Sequence, residues 1–258
     1  MLDIQFITDS VNTMLGRTRT VILPRLQDLS ITCSKPIDSK GLLSCIPLIR
    51  GAHIEIIATQ SDQSARFSSF LPSPPTYIRE LLTPITTIKI QMAPRETRLF
   101  GNNSTFTFHS SQTLPSDLHL ELLLFPSTAV RELYTSPRPF RYSEAGLLKA
   151  LELLPALETL AFSRTEFPLT LLSALVKEPV LCPALRTIAF FDCGVNSDIV
   201  KQLGEAIAKR RDSAGARLYR VVIVNGGGML LGLKAVQQLR KSVPCVEVRV
   251  DDKLPDLS

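Results

Sequence analysis

The side chains that most invite a chemical interpretation are Cys193 and its neighbour Asp192, which lie at the end of a predicted strand. A thiol becomes a good nucleophile when a nearby base or cation lowers its pKa. No histidine lies near Cys193 in the sequence, and the repeat described below explains a cysteine at this place. We therefore expect Cys193 to be structural, and we assign no catalytic residue.

Metal ligation is not indicated either. The three histidines, His53, His109 and His119, show no ligand spacing with the cysteines or acids. The five cysteines are widely spaced and contain no Cys-x-x-Cys, so we expect buried, reduced thiols. The paired carboxylates Asp251-Asp252 lie in the terminal tail, without a predicted pocket. The sequence thus predicts no metal ion and no cofactor.

A glycine-rich turn, Gly226-Gly227-Gly228, lies between a predicted strand and a predicted helix. Backbone amides and a helix dipole at such a place can hold a phosphate group. The turn lacks the G-x-G-x-x-G and G-K-[ST] patterns of nucleotide-binding loops. It supports the alternative hypothesis, an α/β nucleotide- or phosphate-binding protein, whereas a simple turn is the expectation that we prefer.

Charge and composition limit the classes of partner that we expect this chain to bind. The formal net charge is +5, and the densest basic run is Lys209-Arg210-Arg211. Aromatic residues make up 6% of the chain, whereas nucleic-acid surfaces usually interleave aromatic and basic side chains. We interpret the basic run as a solvated helix end, where cations complement the helix dipole, and we do not expect a nucleic-acid partner.

The N-terminal residues show no targeting signal that we recognise. Residues 1–10 lack the pattern of a signal peptide, and no run of about 18 apolar residues is present to span a bilayer. We therefore predict an intracellular protein, cytoplasmic or nuclear, with no membrane partner. A strand at Leu2–Phe6 without a preceding polar cap leads us to expect that the chain begins inside a longer array; a truncated, non-functional remnant is an alternative.

One short pattern occurs twice in the second half of the chain, 28 residues apart. Its positions are Leu157, Leu160, Phe162, Thr165 and Phe167 in the first copy and Leu185, Ile188, Phe190, Cys193 and Val195 in the second. The intervening residues 168–177 carry leucines on one helical face. This strand, turn and helix are typical of a leucine-rich repeat. Thr165 and Cys193 then occupy the position that turns inward to satisfy backbone groups.

Similar alternation extends along most of the chain and predicts an α/β fold: a leucine-rich-repeat-like solenoid, with a curved parallel sheet and helices on its convex side. We assign residues 1–250 to a single domain, with the best-formed repeats at 143–250 and an acidic tail at 251–258. Residues 91–142, punctuated by prolines, are expected to form an irregular, strand-rich stretch of the same sheet. Two domains meeting there is the alternative.

Repeat arrays offer a long concave surface that suits a protein partner. The outward positions of the later strands would face that partner, and aromatic and arginine side chains are common interface anchors. The candidate partner-facing residues are Thr159, Arg186, Tyr219, Arg220, Glu247 and Arg249. Nothing in the sequence requires an enzyme, so we predict a non-enzymatic protein-interaction module.

Two runs carry a family resemblance: CPALRTIAFFDCGVNSDIVKQLGEAIAKRRDSAGARLYRVVIVNGGG and AVQQLRKSVPCVEVRVDDKLPDL. They resemble the C-terminal part of a large basidiomycete fungal group of F-box proteins with leucine-rich-repeat-like regions. LPRLQDLSI and PITTIKIQ are similar to its preceding repeats. The resemblance implies a substrate-recognition region of a cullin-type ubiquitin ligase. Leu23-Pro24 is followed by a predicted strand rather than by the helices of an F-box, so a Skp-type adaptor is implied only if an F-box exists upstream.

Overall fold

The described strands join into one sheet of eleven, and the described helices are distributed between them along the chain. The computed structural model describes residues 2–5, 27–45, 53–59, 67–71, 82, 85–93, 96–101, 106–110, 125, 128–137, 144–176, 181–214, 217–225 and 231–250. The predicted α/β class, with parallel strands and helices, is confirmed.

The strands are β1 (Leu2–Gln5), β2 (Asp28–Cys33), β3 (His53–Ala58), β4 (Thr87–Ala93), β5 (Glu96–Gly101), β6 (Phe106–Ser110), β7 (Glu132–Pro137), β8 (Thr159–Ser163), β9 (Thr187–Phe191), β10 (Arg220–Asn225) and β11 (Cys245–Val250). The helices are α1 (Pro36–Cys45), α2 (Glu144–Glu152), α3 (Leu169–Val176), α4 (Ser197–Ala214) and α5 (Leu233–Ser242), with a 3₁₀ turn at Phe67–Phe70. The order across the sheet is β1-β2-β3-β6-β5-β4-β7-β8-β9-β10-β11.

The middle of the sheet departs from the parallel arrangement. Strand β5 runs antiparallel to both β4 and β6, whereas the other strand pairs are parallel. Only residues 94–95 separate β4 from β5, and only 102–105 separate β5 from β6. Connections this short can join antiparallel strands but cannot make a parallel crossover. The expectation of a parallel sheet is therefore wrong for this strand.

The two copies of the sequence pattern lie side by side. Strands β8 and β9 pair with Leu160 opposite Ile188 and Phe162 opposite Phe190, so equivalent positions are direct neighbours. The two phenylalanine rings stack, with centroids 5.8 Å apart. The 28-residue repeat therefore corresponds to one step across the sheet.

Alternate strand residues and one face of each helix share the main hydrophobic core. The strand contribution is a continuous registered row of buried residues: Leu29, Ile54, Phe106, Gly101, Ile88, Leu133, Leu160, Ile188 and Val221. The helices contribute Leu43, Leu147, Leu171, Leu203 and Leu239, among others. Burying each large apolar side chain stabilises the fold by about 1.5–3 kcal/mol relative to exposure. We call the opposite side of the sheet the far face.

Gly101 is the one small residue in this row, and the packing of its neighbour Ile85 explains why a glycine stands there. A Cβ atom built on Gly101 would lie 2.6 Å from Cδ1 of Ile85, which is buried. Ile85 therefore fills the space that a side chain on β5 would occupy. The antiparallel strand needs a glycine there for packing rather than for backbone freedom.

A recurrent turn ends the repeat strands. Arg164 and Asp192 follow β8 and β9 at φ values of 52° and 54°, and their N–H groups donate to the carbonyls of Phe191 and Val224, each over 2.7 Å. The helix α4 that follows is capped by Asn196, whose Oδ1 accepts from the N–H of Ile199 at 2.9 Å. Each repeat is thus tied to the next through its own backbone.

Candidate functional site

Cys193 is fully buried, and its thiol points at backbone carbonyls. Its Sγ donates to the carbonyl of Phe162 on the neighbouring strand at 3.3 Å, and the carbonyl of Phe191 lies at 3.4 Å. A buried thiol that serves as a donor to carbonyls is not activated as a nucleophile. Its position agrees with the structural role predicted from the repeat.

The other chemical candidates are not brought together. Among the residues that the structure describes, no group of three or more His, Cys, Asp or Glu side chains could hold a metal ion. His53 begins β3 and His109 lies in β6. His119, the Gly226-Gly227-Gly228 turn and the 251–258 tail, with its Asp251-Asp252 pair, lie outside the described residues.

Arg210 corrects the interpretation of the basic run. Its side chain is only 1% exposed, and its guanidinium donates to two carbonyls in the segment before β9. Nη1 lies 2.9 Å from the oxygen of Leu181, and Nη2 lies 2.7 Å from that of Cys182. The expectation that all of Lys209-Arg210-Arg211 is solvated is wrong for the middle residue. The backbone of the Leu181-Cys182 segment faces the core and requires donors.

Burial changes the titration of this pair. Desolvation lowers the pKa of Arg210, and the neighbouring Cys182 opposes part of that effect. Desolvation raises the pKa of Cys182 to about 12, against a smaller opposing effect from the charge of Arg210. Cys182 itself lies at a φ of 45°, and its Sγ is 3.1 Å from the carbonyl oxygen of Leu151. The pair consequently fastens α4 and the last turn of α2 to the segment before β9.

A backbone ladder aligns the residues that immediately precede the later strands. The carbonyl of Arg131 accepts from the N–H groups of Glu158 and Thr159, at 2.7 and 2.9 Å. The backbone carbonyl of Glu158 in turn accepts from the N–H groups of Arg186 and the residue after it, each at 2.9 Å. The backbone carbonyl of Arg186 accepts from the N–H groups of Tyr219 and the residue after it, at 2.8 and 3.0 Å. We call Arg131, Glu158, Arg186 and Tyr219 the strand-start row.

Side chains of the strand-start row are accessible. Arg186 is exposed, and Tyr219 is 63% exposed, which is high for an aromatic residue. Arg131 and Glu158 form an ion pair at 2.5 Å whose side chains are 51% and 41% exposed, so solvent screening leaves it little effect on stability. With strands about 4.8 Å apart, the four positions span roughly 14 Å.

The far face has an apolar centre. Ala161, Ala189, Val222 and Val224 form a buried cluster there, and Tyr134 and Phe191 pack against it. The register aligns Tyr134, Ala161, Ala189 and Val222 in one row across four strands. Small side chains thus form the floor of this face, between a tyrosine on one side and charged residues on the other.

An ionic group borders the apolar centre on the side of β11. Arg220 pairs with Glu247 at 2.7 Å, and Arg249 contacts the other oxygen of the same carboxylate at 3.2 Å. The opposite border holds Glu132, whose Oε2 accepts from Thr87 at 3.1 Å and lies 3.5 Å from the Tyr134 hydroxyl. Burial first, and then the charge and hydrogen bond of Glu132, raise the pKa of Tyr134.

The six residues selected from the sequence fall into two adjacent groups. Thr159, Arg220, Glu247 and Arg249 lie on the far face, at strand positions that alternate with core residues. Arg186 and Tyr219 belong to the strand-start row. Sequence reasoning missed Arg131, Tyr134 and Glu158, although their positions in or just before the alternating strands β7 and β8 could have identified them.

Comparison with known proteins finds no matching protein-family model and no curated protein of significant similarity. In the part of the chain that the structure describes, the helices are too short or too polar to cross a membrane.

Proposed function

We propose that this chain is a non-enzymatic recognition module that binds another protein across the strand-start row and the far face. The observation that carries the proposal is the exposed Tyr219 beside Arg186 and Arg220, all held by a regular backbone ladder. Tyrosine and arginine are enriched among the residues that dominate protein interfaces. A preformed backbone reduces the ordering cost of binding.

The charge of this surface favours a partner with acidic groups. The strand-start row and the two borders of the far face together contain four arginines, Arg131, Arg186, Arg220 and Arg249, and three glutamates, Glu132, Glu158 and Glu247. An excess of arginine attracts an acidic partner and orients it during encounter. The half-buried Tyr134 and Phe191 and the exposed Tyr219 supply apolar area that such a complex would exclude from water.

The finer architecture is also a proposal: a leucine-rich-repeat-like solenoid, curved with the far face as its concave side. It is supported by neighbouring strands β7 to β11, in which equivalent residues pair, and by the same left-handed turn after β8 and β9. A compact 258-residue domain has a radius of gyration of about 18 Å. Small-angle X-ray scattering should give a distinctly larger value for a solenoid, and a value near 18 Å would contradict it.

The family resemblance refines the proposed partner. In that family the repeats recruit the substrate of a cullin-type ubiquitin ligase, and we propose the same recognition role for this surface. Binding to a Skp-type adaptor belongs to the proposal only for a form of the protein that carries an F-box ahead of this chain.

Site-specific photo-crosslinking tests the proposal. A benzophenone amino acid is placed at Tyr219 or, as a control, at Leu233, which is 70% exposed on α5. In extracts of the source cells, Tyr219 should capture a defined protein that Leu233 does not, and excess unlabelled protein should compete. Equal adducts at both positions, or none at Tyr219, would refute the assignment of the surface.

A further inference from the structure

A basic cavity of about 310 Å³ lies at the C-terminal ends of α4 and α5, where the chain enters β10 and β11. Its lining is Ile207, Arg211, Arg217, Leu218, Arg240, Lys241, Ser242, Val243 and Pro244. Four of these side chains are cations, and no carboxylate stands among them. The volume is at the lower end of the range for small-molecule sites.

Helix dipoles account for only part of this charge. The C-terminus of a helix carries about half a negative charge, so the ends of α4 and α5 together supply about one. Arg211 and the Arg240-Lys241 pair lie in those last turns, and Arg217 follows α4. Arg217, Arg240 and Lys241 by themselves exceed the charge of the two helix ends, so the described lining of the cavity has an excess of positive charge.

Three of the cations are uncommitted within the described residues. The side chains of Arg217, Arg240 and Lys241 form no hydrogen bond or ion pair there, and all three are exposed. The floor beneath them is apolar and almost fully buried, since Ile207, Leu218 and Val243 are each about 1% exposed. A low-dielectric floor strengthens the attraction between these cations and an anion.

We propose that this basic cavity binds a small, multiply phosphorylated anion. Arginine guanidinium groups match phosphate oxygens in a bidentate geometry, lysine adds a point charge, and the Ser242 hydroxyl can donate to a further oxygen. The concave shape and limited volume favour a small ligand over a nucleic-acid strand. None of the described lining residues belongs to the far face or to the strand-start row, so the site adds a ligand class to the proposed protein-binding role.

Isothermal titration calorimetry, with inorganic tripolyphosphate added to the full chain, tests the inference. The site variant is Arg217→Gln/Arg240→Gln, and the charge-matched control is Lys149→Gln/Lys201→Gln, which removes two exposed cations on helices away from the cavity and from the proposed protein-binding surface. Circular dichroism establishes that both variants are folded. Sodium sulfate at equal ionic strength measures the non-specific effect of anions.

We expect saturable binding of one tripolyphosphate per chain, weakened at least tenfold in the site variant and less than twofold in the control. Sulfate should bind at least tenfold more weakly than tripolyphosphate. Absent binding, or an equal loss in both variants, would overturn the site. Tighter binding of a single-stranded oligonucleotide than of tripolyphosphate would overturn the choice of ligand. Neither outcome bears on photo-crosslinking at Tyr219, so the two proposals fail independently.

Discussion

Replacing Arg210 by methionine should destabilise the protein substantially, because it removes both donors while keeping an aliphatic side chain. The carbonyl of Leu181 loses its 2.9 Å bond from Nη1. The carbonyl of Cys182 loses its 2.7 Å bond from Nη2 but keeps one from the N–H of Leu185 at 2.9 Å. The loss of hydrogen bonding is thus greater at the Leu181 carbonyl than at the Cys182 carbonyl, which keeps one donor.

The magnitude follows from these contacts. A buried acceptor left unsatisfied costs about 1–3 kcal/mol, and a hydrogen bond to a charged group contributes about 1.5–3 kcal/mol. Removing a buried guanidinium offsets part of this, because its desolvation cost disappears. We therefore expect the free energy of unfolding to fall by about 2–4 kcal/mol, or Tm by about 4–16 °C at this chain length. Arg210→Lys should lose less, because an ammonium keeps the charge but not the fork.

Urea unfolding followed by circular dichroism is the suitable assay, since the chain contains no tryptophan for fluorescence. Lys201→Met is the matched control: it makes the same kind of change at an exposed position of the same helix, and it should alter stability by less than about 0.5 kcal/mol. If Arg210→Met were no less stable than Lys201→Met, the reasoning about the two carbonyls would be refuted.

Two further outcomes follow from the packing and the pKa shifts. Gly101→Ala should destabilise the protein by about 1–3 kcal/mol, because the new Cβ would meet Ile85. Gly204→Ala in α4, where the nearest atom lies 3.6 Å from the new Cβ, should be neutral or should stabilise the protein by up to about 1 kcal/mol. Similar urea midpoints for the two variants would contradict this expectation. Because the Cys182 pKa is raised from 9.0 to about 12, its contribution to stability should be complete below pH 9 and lost as pH rises toward 12. Mass spectrometry after iodoacetamide treatment of the native protein at pH 9 should show Cys245, which is half-buried, reacting before Cys182; equal rates would argue against the shift.

The periodic second half of the fold was predictable because each strand position has one environment. Leu160 and Ile188 are apolar in both copies, and the structure makes them neighbours in one buried row. The inward position was predictable for the same reason, since Cys193 occupies a place where a donor to the backbone is needed. Repetition supplied two independent observations of one local structure.

The middle of the sheet could not be predicted from the same pattern. Strand β5 presents a glycine, Gly101, in the registered core row where the other strands present large apolar residues. Its space is filled by Ile85, which precedes β4 and carries no sequence signal of that contact. Strand order is equally hidden, because β4 pairs with β7 rather than with β3. Both features depend on tertiary packing.

The buried arginine was missed although a signal was present. Leu203, Ile207 and Arg210 are spaced as members of one helical face, and the first two are core residues. The charged run Lys209-Arg210-Arg211 concealed this spacing. Of the candidate surface, Tyr219 and Arg220 were identifiable by type, but the alignment of Arg131, Glu158, Arg186 and Tyr219 required the register between strands.

The affinity of the captured partner for Tyr219→Ala, compared with Leu233→Ala, tests the central claim most directly. Both substitutions remove a highly exposed side chain, 63% and 70% exposed, so both variants should fold normally. If the strand-start row is the binding surface, Tyr219→Ala should weaken binding at least tenfold, about 1.4 kcal/mol, and Leu233→Ala should leave the Kd within twofold. Equal affinities for Tyr219→Ala and the unsubstituted protein, or a larger loss in Leu233→Ala, would contradict the account.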